Sequence, residues 1–529
     1  MRVSSESTAT WDEQRVTGAA LSAGCCCTEV EVGRSNISEQ LEYLFDPRTV
    51  AVIGASNNKM KWGYIVPANI LAGGYTGEFY PVNPHDEEIL DRRVYRSVKD
   101  IPGEVDLAVV TVPAPAVNPV VKECVEKGVG ACIVISGGFS ETGEEGTALE
   151  RELTELVDGS GMRLVGPNTM GIYSARSSLH ALMPPVRPVA GKIGFAAQSG
   201  NLGTQMLSLG KALGVGFSRF VCIGNEAELK CADYVEYFAQ DPDTEVILLY
   251  IEGLRDGRRF MEVALETSPK KPIVVLKAGK TDAGAKAARS HSAALAADET
   301  IFDGVLKQAG MIEADTTEEM LDIAKAFAAV PSPKGKRVGV LTWGGGWGVV
   351  TADALARHGL ELVELPEDTL EQLDGILPPY WSRGNPVDLV GTLDLSKHFS
   401  CIEIIVRCPV VDAVITLGTM GATSSFQSFV LEGQIPEDNE GNIKPRVITG
   451  EFLKQLQAID EAYRERVMKL MEETDKPIIA VSFPTSGAIT PMLARQSEVV
   501  IYPSPERGAK TLAALYEYRE FLDRKHALV

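Results

Sequence analysis

One histidine of the chain stands among side chains too small to cover it. His291 lies in AARSHSAALA (287–296), where alanine and serine predominate. A neutral imidazole that stays accessible can attack a phosphoryl group and carry it as a labile phosphoramidate. A carboxylate that accepts the Nδ1 proton would fix the tautomer and leave the other nitrogen nucleophilic. The pattern favours phosphoryl transfer at His291, with a structural hydrogen-bonding histidine as the alternative.

The carboxylate partner is predicted to be Glu252. This residue follows the apolar run VILLYI (246–251), which is typical of a buried strand. Functional groups of open α/β sheets gather at the carboxyl ends of their strands. The remaining histidines have no comparable setting: His85, His180, His358, His398 and His526.

Two glycine-rich loops are predicted to bind anions. AQSGNLG (197–203) and TWGGGWG (342–348) each join a predicted strand to a predicted helix. The first amide groups and the positive end of a helix attract anions. One such loop is weak evidence, but two facing loops can hold a phosphoryl group from both sides. The predicted phosphate-binding residues are Ser199, Gly200, Asn201, Gly344, Gly345 and Gly346.

Three further turns follow strands predicted nearer the amino terminus. VIGASNNKMKWG (52–63) is a glycine turn whose backbone amides can face a phosphate, and TVPAPA (111–116) and ISGGFSETG (135–143) end later strands. The first turn lacks the G-x-G-x-x-G pattern, and Asn83 stands where a dinucleotide site has an acidic residue. A nicotinamide cofactor is therefore disfavoured, and a nucleotide-like ligand with a phosphate is predicted. A glycine turn that serves only packing is the alternative.

The elements that position these groups are predicted to form an α/β fold, because short apolar runs alternate with helical stretches. We predict a flexible extension (1–40), a first unit (41–185), a second unit (186–330) and a third unit (331–529). KIGFAAQSGNLG (192–203) aligns without gaps to RVGVLTWGGGWG (337–348). The second and third units are therefore predicted to use one doubly wound fold twice.

The predicted strands are short and evenly spaced. They cover 49–54, 78–82, 105–112, 130–136 and 163–165 in the first unit, and 192–197, 217–223, 245–251, 273–278 and 311–314 in the second. In the third unit, a long charged helix is predicted around 450–474 and an exposed loop at 431–447.

Composition argues against several classes of protein. The chain has 529 residues, 45% of them hydrophobic, with 50 glycines and a formal net charge of -21. That charge disfavours nucleic-acid and anionic membrane surfaces, and no apolar run approaches the ~20 residues of a membrane span. The amino terminus lacks the apolar core of a signal peptide. The nine cysteines, including Cys25–Cys27, show no metal-site spacing, so we predict no metal site and a cytoplasmic location.

Together these motifs resemble the alpha subunit of the nucleoside-diphosphate-forming acyl-CoA synthetases, the superfamily of succinyl-CoA synthetase. They resemble the ADP-forming acetate–CoA ligases most closely. The resemblance covers about residues 45–520 and rests on IGASNNKMKWG, YPVNP, VPAP, ISGGFSETG, VGPNTMGI, QSGNLG, YIEG, RSHSAALA and RGNPVDLVG. It implies a Rossmann-like CoA-binding domain followed by two flavodoxin-like domains.

The resemblance also implies roles for individual residues. His291 would be the phosphohistidine, Glu252 its supporting carboxylate, and the helix starts at Ser199 and Gly344 would receive the phosphoryl group. The residues implied to bind coenzyme A are Gly54, Ala55, Ser56, Lys59, Lys61, Asn83, Pro84, Val112, Pro113, Ser136, Gly137, Gly138 and Asn168.

The implied reaction is acyl-CoA + ADP + phosphate ⇌ carboxylic acid + CoA + ATP, through an acyl phosphate. No segment resembles an ATP-grasp module, so ADP or ATP and magnesium are expected on a separate ATP-grasp beta subunit. The chain reads SHSAAL where the family often has Ser-His-Thr-Gly-Ala-Leu, and GNEAE (224–228) where it often has Gly-Asn-Lys-Ala-Asp. These departures leave the acyl group open.

Two other functions stay open at this point. One is a non-catalytic CoA-sensing or scaffold protein that has kept the fold. The other is a CoA-dependent acyl transferase whose transfer module is a separate chain. Retention of both His291 and Glu252 counts against the first, and the lack of an attached acetyltransferase segment counts against the second.

Overall fold

The computed structural model describes residues 37–284, 286, 299–392, 394–418, 435–436, 443–444, 450–482 and 499–527. His291 and Cys25–Cys27 lie outside the described residues, as does most of the predicted extension. Its last residues, from Ile37, already belong to helix α1 (Ile37–Phe45), whose apolar face is buried at Leu41 and Leu44.

The first sheet is parallel and lies nearest the amino terminus. Its region contains β1 (Thr49–Ile53), α2 (Trp62–Ala72), β2 (Glu78–Val82), β3 (Glu88–Ile89), β4 (Arg92–Arg93), β5 (Leu107–Val110), α3 (Val117–Lys127), β6 (Ala131–Val134), α4 (Glu144–Val157) and β7 (Arg163–Val165). The strand order is β2-β1-β5-β6-β7, while β3 and β4 form a separate antiparallel pair. The predicted strands of this unit are confirmed, with ends shifted by a few residues.

The second sheet begins with a hairpin that the sequence pattern did not reveal. Its elements are β8 (Gly171–Ser174), β9 (Leu179–Leu182), β10 (Val189–Ala197), α5 (Gly200–Leu213), β11 (Gly216–Cys222), α6 (Cys231–Gln240), β12 (Val246–Ile251), α7 (Gly257–Thr267), β13 (Ile273–Lys277), α8 (Glu299–Ala309), β14 (Ile312–Ala314) and α9 (Thr317–Ala329). The order is β14-β13-β12-β10-β11-β8-β9. Because β8 pairs antiparallel with β11, the hairpin extends this sheet rather than the first one.

The third sheet repeats the pattern of the second. Its region contains β15 (Arg337–Thr342), α10 (Gly345–Arg357), β16 (Glu361–Leu362), α11 (Glu367–Asp374), β17 (Val387–Asp388), α12 (Leu395–Arg407), β18 (Ala413–Leu417), β19 (Ile435–Pro436), β20 (Ile443–Lys444), α13 (Gly450–Thr474), β21 (Ile478–Val481), β22 (Ile501–Tyr502) and α14 (Pro505–Ala527). The order is β16-β15-β18-β21-β22, and β17 also pairs with β15. The predicted long helix is confirmed as α13. Within the predicted exposed loop, β19 and β20 pair antiparallel.

When the two-residue strand β17, which pairs with β15, is left aside, the parallel strands of each sheet, numbered along the chain, follow one order: two, one, three, four, five. This is the flavodoxin-like order, in which ligands bind where the strand order reverses, between strands one and three. Those strands are β1 and β5, β10 and β12, and β15 and β18. The central strands of the three parallel arrays, β5, β12 and β18, are buried along their whole length, as expected when helices cover both faces. The predicted α/β class is confirmed.

Buried ion pairs join regions that are distant in the chain. The Arg219 guanidinium on β11 is fully buried and lies 3.0 Å from Asp46 and 3.3 Å from Asp243. Arg507 of α14 donates to both carboxylate oxygens of Asp322 on α9, at 2.5 and 2.7 Å. Helix α14 thus attaches the third sheet to the second.

None of the described helices has both the length and the apolar composition needed to cross a bilayer.

Candidate functional site

The glycine turn after β1 uses its first amide groups internally. Gly54 has φ +89°, in the left-handed region that favours glycine. The amides of Gly54 and Ala55 donate to the Val82 carbonyl at 3.0 and 3.2 Å, and the Ser56 amide donates to the Gly63 carbonyl at 2.9 Å. An anion at this turn would therefore be bound by other groups than these amides.

Cationic side chains occupy the exposed tip of the same turn. Lys59 and Lys61 are both exposed, and Lys61 is the residue on which helix α2 begins. Trp62 follows with 46% of its surface exposed. The positive end of α2 adds to the charge of the two ammonium groups. The tip is a local positive site in an acidic chain and suits a ligand phosphate.

Asn83 fixes the geometry of this turn. Its side-chain amide donates to the Ala55 carbonyl at 2.7 Å, and its side-chain oxygen accepts from the amides of His85 and Asp86 at 2.7 and 3.3 Å. The next residue, Pro84, accepts from Arg96 through its carbonyl at 2.9 Å. The structure thus gives Asn83 a positioning role between the ends of β1 and β2.

The other predicted CoA-binding turns meet at the same edge of the first sheet. The Ser136 hydroxyl donates to the Val112 carbonyl, and the backbone amide of Asn168 donates to the Ser136 carbonyl at 2.9 Å. A Cβ built on Gly54 would lie 2.9 Å from Val112 Cγ1, and one on Gly137 would lie 3.2 Å from Asn168 Oδ1. Pro113 and Gly138 (φ +106°) continue these turns. The structure brings these backbone segments together.

A carboxylate at this edge links the first sheet to the second. Glu141 accepts from the amides of Gly138 and Phe139 at 2.5 and 3.1 Å and from the side-chain amide of Asn225 at 2.6 Å. Burial raises the pKa of Glu141, but these hydrogen bonds outweigh it and hold the pKa below its usual value. Asn225 also donates to Glu150 on α4 at 2.8 Å. The loop after β11 is thus joined to the turn after β6 through Glu141 and to α4 through Glu150.

Helix α5, which follows β10, leaves room only for glycine at its first residue. A Cβ built on Gly200 would lie 2.5 Å from Met170 Cγ and 2.8 Å from Cys222 Sγ. Ser199 precedes the helix and makes no side-chain cap hydrogen bond to it, and Asn201 is exposed. The first amides of a helix have no partner within it. This end of α5 therefore suits an anion.

Glu252 lies at the carboxyl end of β12, next to that loop. Its side chain is only 7% exposed. The Tyr250 hydroxyl is hydrogen-bonded to the Glu252 carboxylate, and burial, followed by the charge of Glu252, raises the pKa of Tyr250 well above its usual value. The Lys277 ammonium donates to the Glu252 carbonyl at 3.0 Å. Both the side chain and the backbone of Glu252 are thus held in place.

Sequence reasoning missed the residue that joins Ser199 to Glu252. Gln198 lies between them and accepts from the amides of Glu252 and Gly253 at 2.5 and 3.1 Å. Its position inside the predicted anion loop, directly before Ser199, was a signal. The contact itself depends on β10 and β12 being neighbours, which the sequence pattern does not reveal.

The loop between β15 and α10 has different surroundings. Among the described atoms, none lies within 4 Å of a Cβ built on Gly344 or Gly346, while one built on Gly345 would lie 3.1 Å from an Asp388 carboxylate oxygen. The Thr342 hydroxyl donates to the Gly344 carbonyl at 2.9 Å. A carboxylate beside these glycines opposes an anion unless a cation accompanies it.

The structure does not describe the segment that carries His291, but it describes both ends of that segment. The strand that precedes the segment is β13, whose last residue, Lys277, lies directly opposite Ile251 on β12. The element that follows the segment is α8, which begins at Glu299. Within the described residues, no group of three or more metal-ligating side chains is present.

Comparisons with protein families cover most of the chain. The family model described as a CoA binding domain matches residues 48–175. The model described as a succinyl-CoA ligase like flavodoxin domain matches residues 190–327, and the one described as a ligase-CoA domain matches residues 338–481.

Named relatives point the same way. The chain is 38% identical to the alpha subunit of acetate–CoA ligase (ADP-forming) I of Pyrococcus furiosus, over 91% of this chain and 98% of that one. It is 44% identical to the alpha subunit of enzyme II of the same organism, over 71% and 82%. Among solved structures, acetyl-coenzyme A synthetase 1 of Ca. Korarchaeum cryptofilum, in complex with phosphate and ADP, matches with a TM-score of 0.79 and 31% identity, covering 92% of this chain and 98% of that one.

Proposed function

The chain belongs to the family of ADP-forming acetate–CoA ligase alpha subunits, and on that premise we propose that it is the CoA-binding, histidine-phosphorylated subunit of an ADP-forming acyl-CoA synthetase. The observation that carries the proposal is the position of Glu252. It lies buried at the carboxyl end of β12, between the amino end of α5 and the strand from which the His291 segment departs.

Coenzyme A is assigned to the carboxyl edge of the first sheet. The turns at Gly54, Val112 and Ser136 meet there, and Lys59 and Lys61 place positive charge at the rim. The nucleotide-like part of coenzyme A carries phosphates that this rim can attract. The link from Glu141 to Asn225 joins this edge to the second sheet, where the thioester end would be needed.

The second sheet is assigned the phosphoryl chemistry. An oxygen of inorganic phosphate attacks the thioester carbonyl, the CoA thiolate leaves, and an acyl phosphate forms. A His291 nitrogen then attacks phosphorus, the carboxylate product leaves, and phosphohistidine forms. Glu252 would hold the imidazole tautomer, and the first amides of α5 would stabilise charge on the transferring phosphoryl group.

The last transfer is assigned to a partner chain. ADP would attack the phosphohistidine, producing ATP and releasing the histidine. We assign ADP, magnesium and the residues that bind them to an ATP-grasp beta subunit. Transfer between two sites would require the His291 segment to move, and the small residues around His291 in the sequence are compatible with that requirement.

Two measurements test the proposal. Calorimetry on the purified chain should show binding of coenzyme A and none of NAD, and the reverse result would contradict the assignment of the first sheet. An assay with acyl-CoA, ADP and phosphate should yield ATP only when the ATP-grasp subunit is added. Robust ATP formation by this chain alone would show that one of its own domains binds the nucleotide.

A further inference from the structure

A second buried carboxylate lies close to Glu252 in the loop after β11. Glu226 is 4% exposed and has φ +55°. One of its carboxylate oxygens accepts from the Cys231 amide at 2.9 Å, and the other accepts from the side-chain amide of Gln198 at 3.3 Å. Both oxygens of Glu226 therefore act as acceptors.

The contacts of Gln198 leave its amide group only one orientation. Its oxygen must face the two backbone amides of Glu252 and Gly253, since these groups can only donate. Its nitrogen then donates to the Gly253 carbonyl at 2.6 Å and to Glu226. The donors and acceptors form one continuous chain from the Cys231 amide to the backbone of Glu252.

We propose that Glu226 is a positioning residue for the phosphoryl-transfer site: it orients Gln198, and Gln198 in turn fixes the end of β12 from which Glu252 emerges. A carboxylate suits this role because both of its oxygens accept. The inference rests on the proposed function, since it concerns the reaction of His291 with Glu252 as its supporting carboxylate.

The substitution Glu226→Gln tests the orientation, because glutamine has one acceptor and one donor. If its oxygen faces Cys231, its nitrogen faces the nitrogen of Gln198. If its oxygen faces Gln198, its nitrogen faces the Cys231 amide. Either arrangement places two hydrogen-bond donors against each other. We expect phosphorylation of His291, measured with labelled ATP and the ATP-grasp subunit, to slow by about 10²-fold, the scale of a displaced catalytic group.

Glu228→Gln is the matched control. Glu228 lies in the same loop and undergoes the same change, but its oxygens accept from the Arg163 guanidinium at 2.6 Å and the Leu164 amide at 2.8 Å. In the Glu228→Gln variant, the rate of His291 phosphorylation should stay within about twofold of the wild-type rate. That difference is smaller than the loss of one ordinary hydrogen bond produces. Affinity for coenzyme A, measured by calorimetry, should be unchanged in Glu226→Gln.

Exchanging the two side chains separates orientation from simple loss of packing. In Gln198→Glu with Glu226→Gln, the carboxylate at 198 accepts from Glu252 and Gly253, and the amide at 226 donates to it while accepting from Cys231. At the Gly253 carbonyl a carboxylate oxygen replaces the amide donor of Gln198, so this contact changes from an attraction to a repulsion between two acceptors. Gln198→Glu alone has this repulsion and also sets two carboxylates against each other. The double variant should therefore be phosphorylated faster than Gln198→Glu alone, a comparison that does not require Glu226→Gln to fold by itself.

Two results would overturn the inference, and a third would contradict the proposed function. Wild-type rates in Glu226→Gln would remove Glu226 from the site. A double variant no faster than Gln198→Glu alone would show that orientation is not what Glu226 supplies. A wild-type chain that accepts no acid-labile phosphate at His291 would instead contradict the proposed function itself.

Discussion

The loops at Ser199 and Gly344 have the same backbone course and different chemistry. Each follows the first strand of a sheet with the same strand order, and each leads into a helix. In the register of the sheets, Ala197 lies opposite Tyr250, and Thr342 lies opposite Leu417. The two loops are therefore equivalent positions of one repeated fold.

The two loops differ in the contacts that their residues make. Gln198 is tied to the end of β12, whereas Trp343, at the equivalent position, is 38% exposed and donates from its indole nitrogen to the Thr392 carbonyl at 2.9 Å. A Cβ on Gly200 would meet Met170 and Cys222 at 2.5 and 2.8 Å, whereas one on Gly345, at the equivalent position, would meet only an Asp388 carboxylate oxygen at 3.1 Å. A repeated fold does not imply a repeated site. The difference supports the proposal that phosphoryl transfer takes place at the second sheet.

The largest expected effect comes from removing the proposed nucleophile. His291→Ala should abolish labelling of the chain by ATP, because the variant lacks the imidazole nitrogen that is proposed to accept the phosphoryl group. The label on the wild-type chain should be lost in mild acid. His526→Ala, an exposed histidine in the last turn of α14, is the control and should label normally. Label that persists in His291→Ala would place the phosphoryl group elsewhere, with the third-sheet loop as the first region to search.

Glu252→Gln should have the next largest effect. The backbone of Glu252 is held by Gln198 and Lys277, so the fold should survive the change. Glutamine can still accept from Tyr250, but it supplies no negative charge to the imidazole. Phosphorylation should slow by about 10²–10⁴-fold, the range for losing a positioned acid–base partner. Glu262→Gln, on the exposed face of α7, should react at the wild-type rate, and an equal rate in both variants would remove Glu252 from the mechanism.

The sequence predicted the elements better than it predicted their contacts. The parallel strands from Thr49 to Ala314 follow from short apolar runs, and the helix α13 follows from a long charged stretch. The family resemblance is confirmed by the named relatives. The hairpin β8–β9 escaped prediction because its short strands are defined by antiparallel pairing with β11, a partner distant in the chain. Gln198 and Glu226 escaped for the same reason, since their contact joins loops after two different strands.

Glycine substitutions at the start of α5 and of α10 would measure the difference in packing between the loops, although Gly346 lies one residue beyond the position equivalent to Gly200. Gly200→Ala would place a methyl group 2.5 Å from Met170 Cγ and 2.8 Å from Cys222 Sγ, which forces displacement in a packed region. We expect about 1–3 kcal/mol of destabilisation, the usual cost of overpacking. Gly346→Ala lies in the first turn of α10 with no described atom within 4 Å, so stability should be unchanged or higher by up to about 1 kcal/mol. Urea unfolding of both variants gives the two changes in the free energy of unfolding. Equal losses of stability would contradict the difference in packing around the two glycines.

The smallest effect is expected from Trp343→Phe, at the position equivalent to Gln198. The change removes the hydrogen bond to the Thr392 carbonyl, worth about 0.5–1.5 kcal/mol of stability. The glycine loop should keep its shape, because Thr342 holds it: the Thr342 hydroxyl donates to the Gly344 carbonyl and accepts from the Gly344 amide at 3.2 Å. The rate of His291 phosphorylation should therefore stay within about twofold of the wild-type rate. That is a smaller change than the loss of one hydrogen bond at the reacting groups would cause. A loss of tenfold or more in the same labelling assay would mean that Trp343 performs in the third sheet the positioning that Gln198 performs in the second, and the two loops would then have to be treated as partners in one transfer.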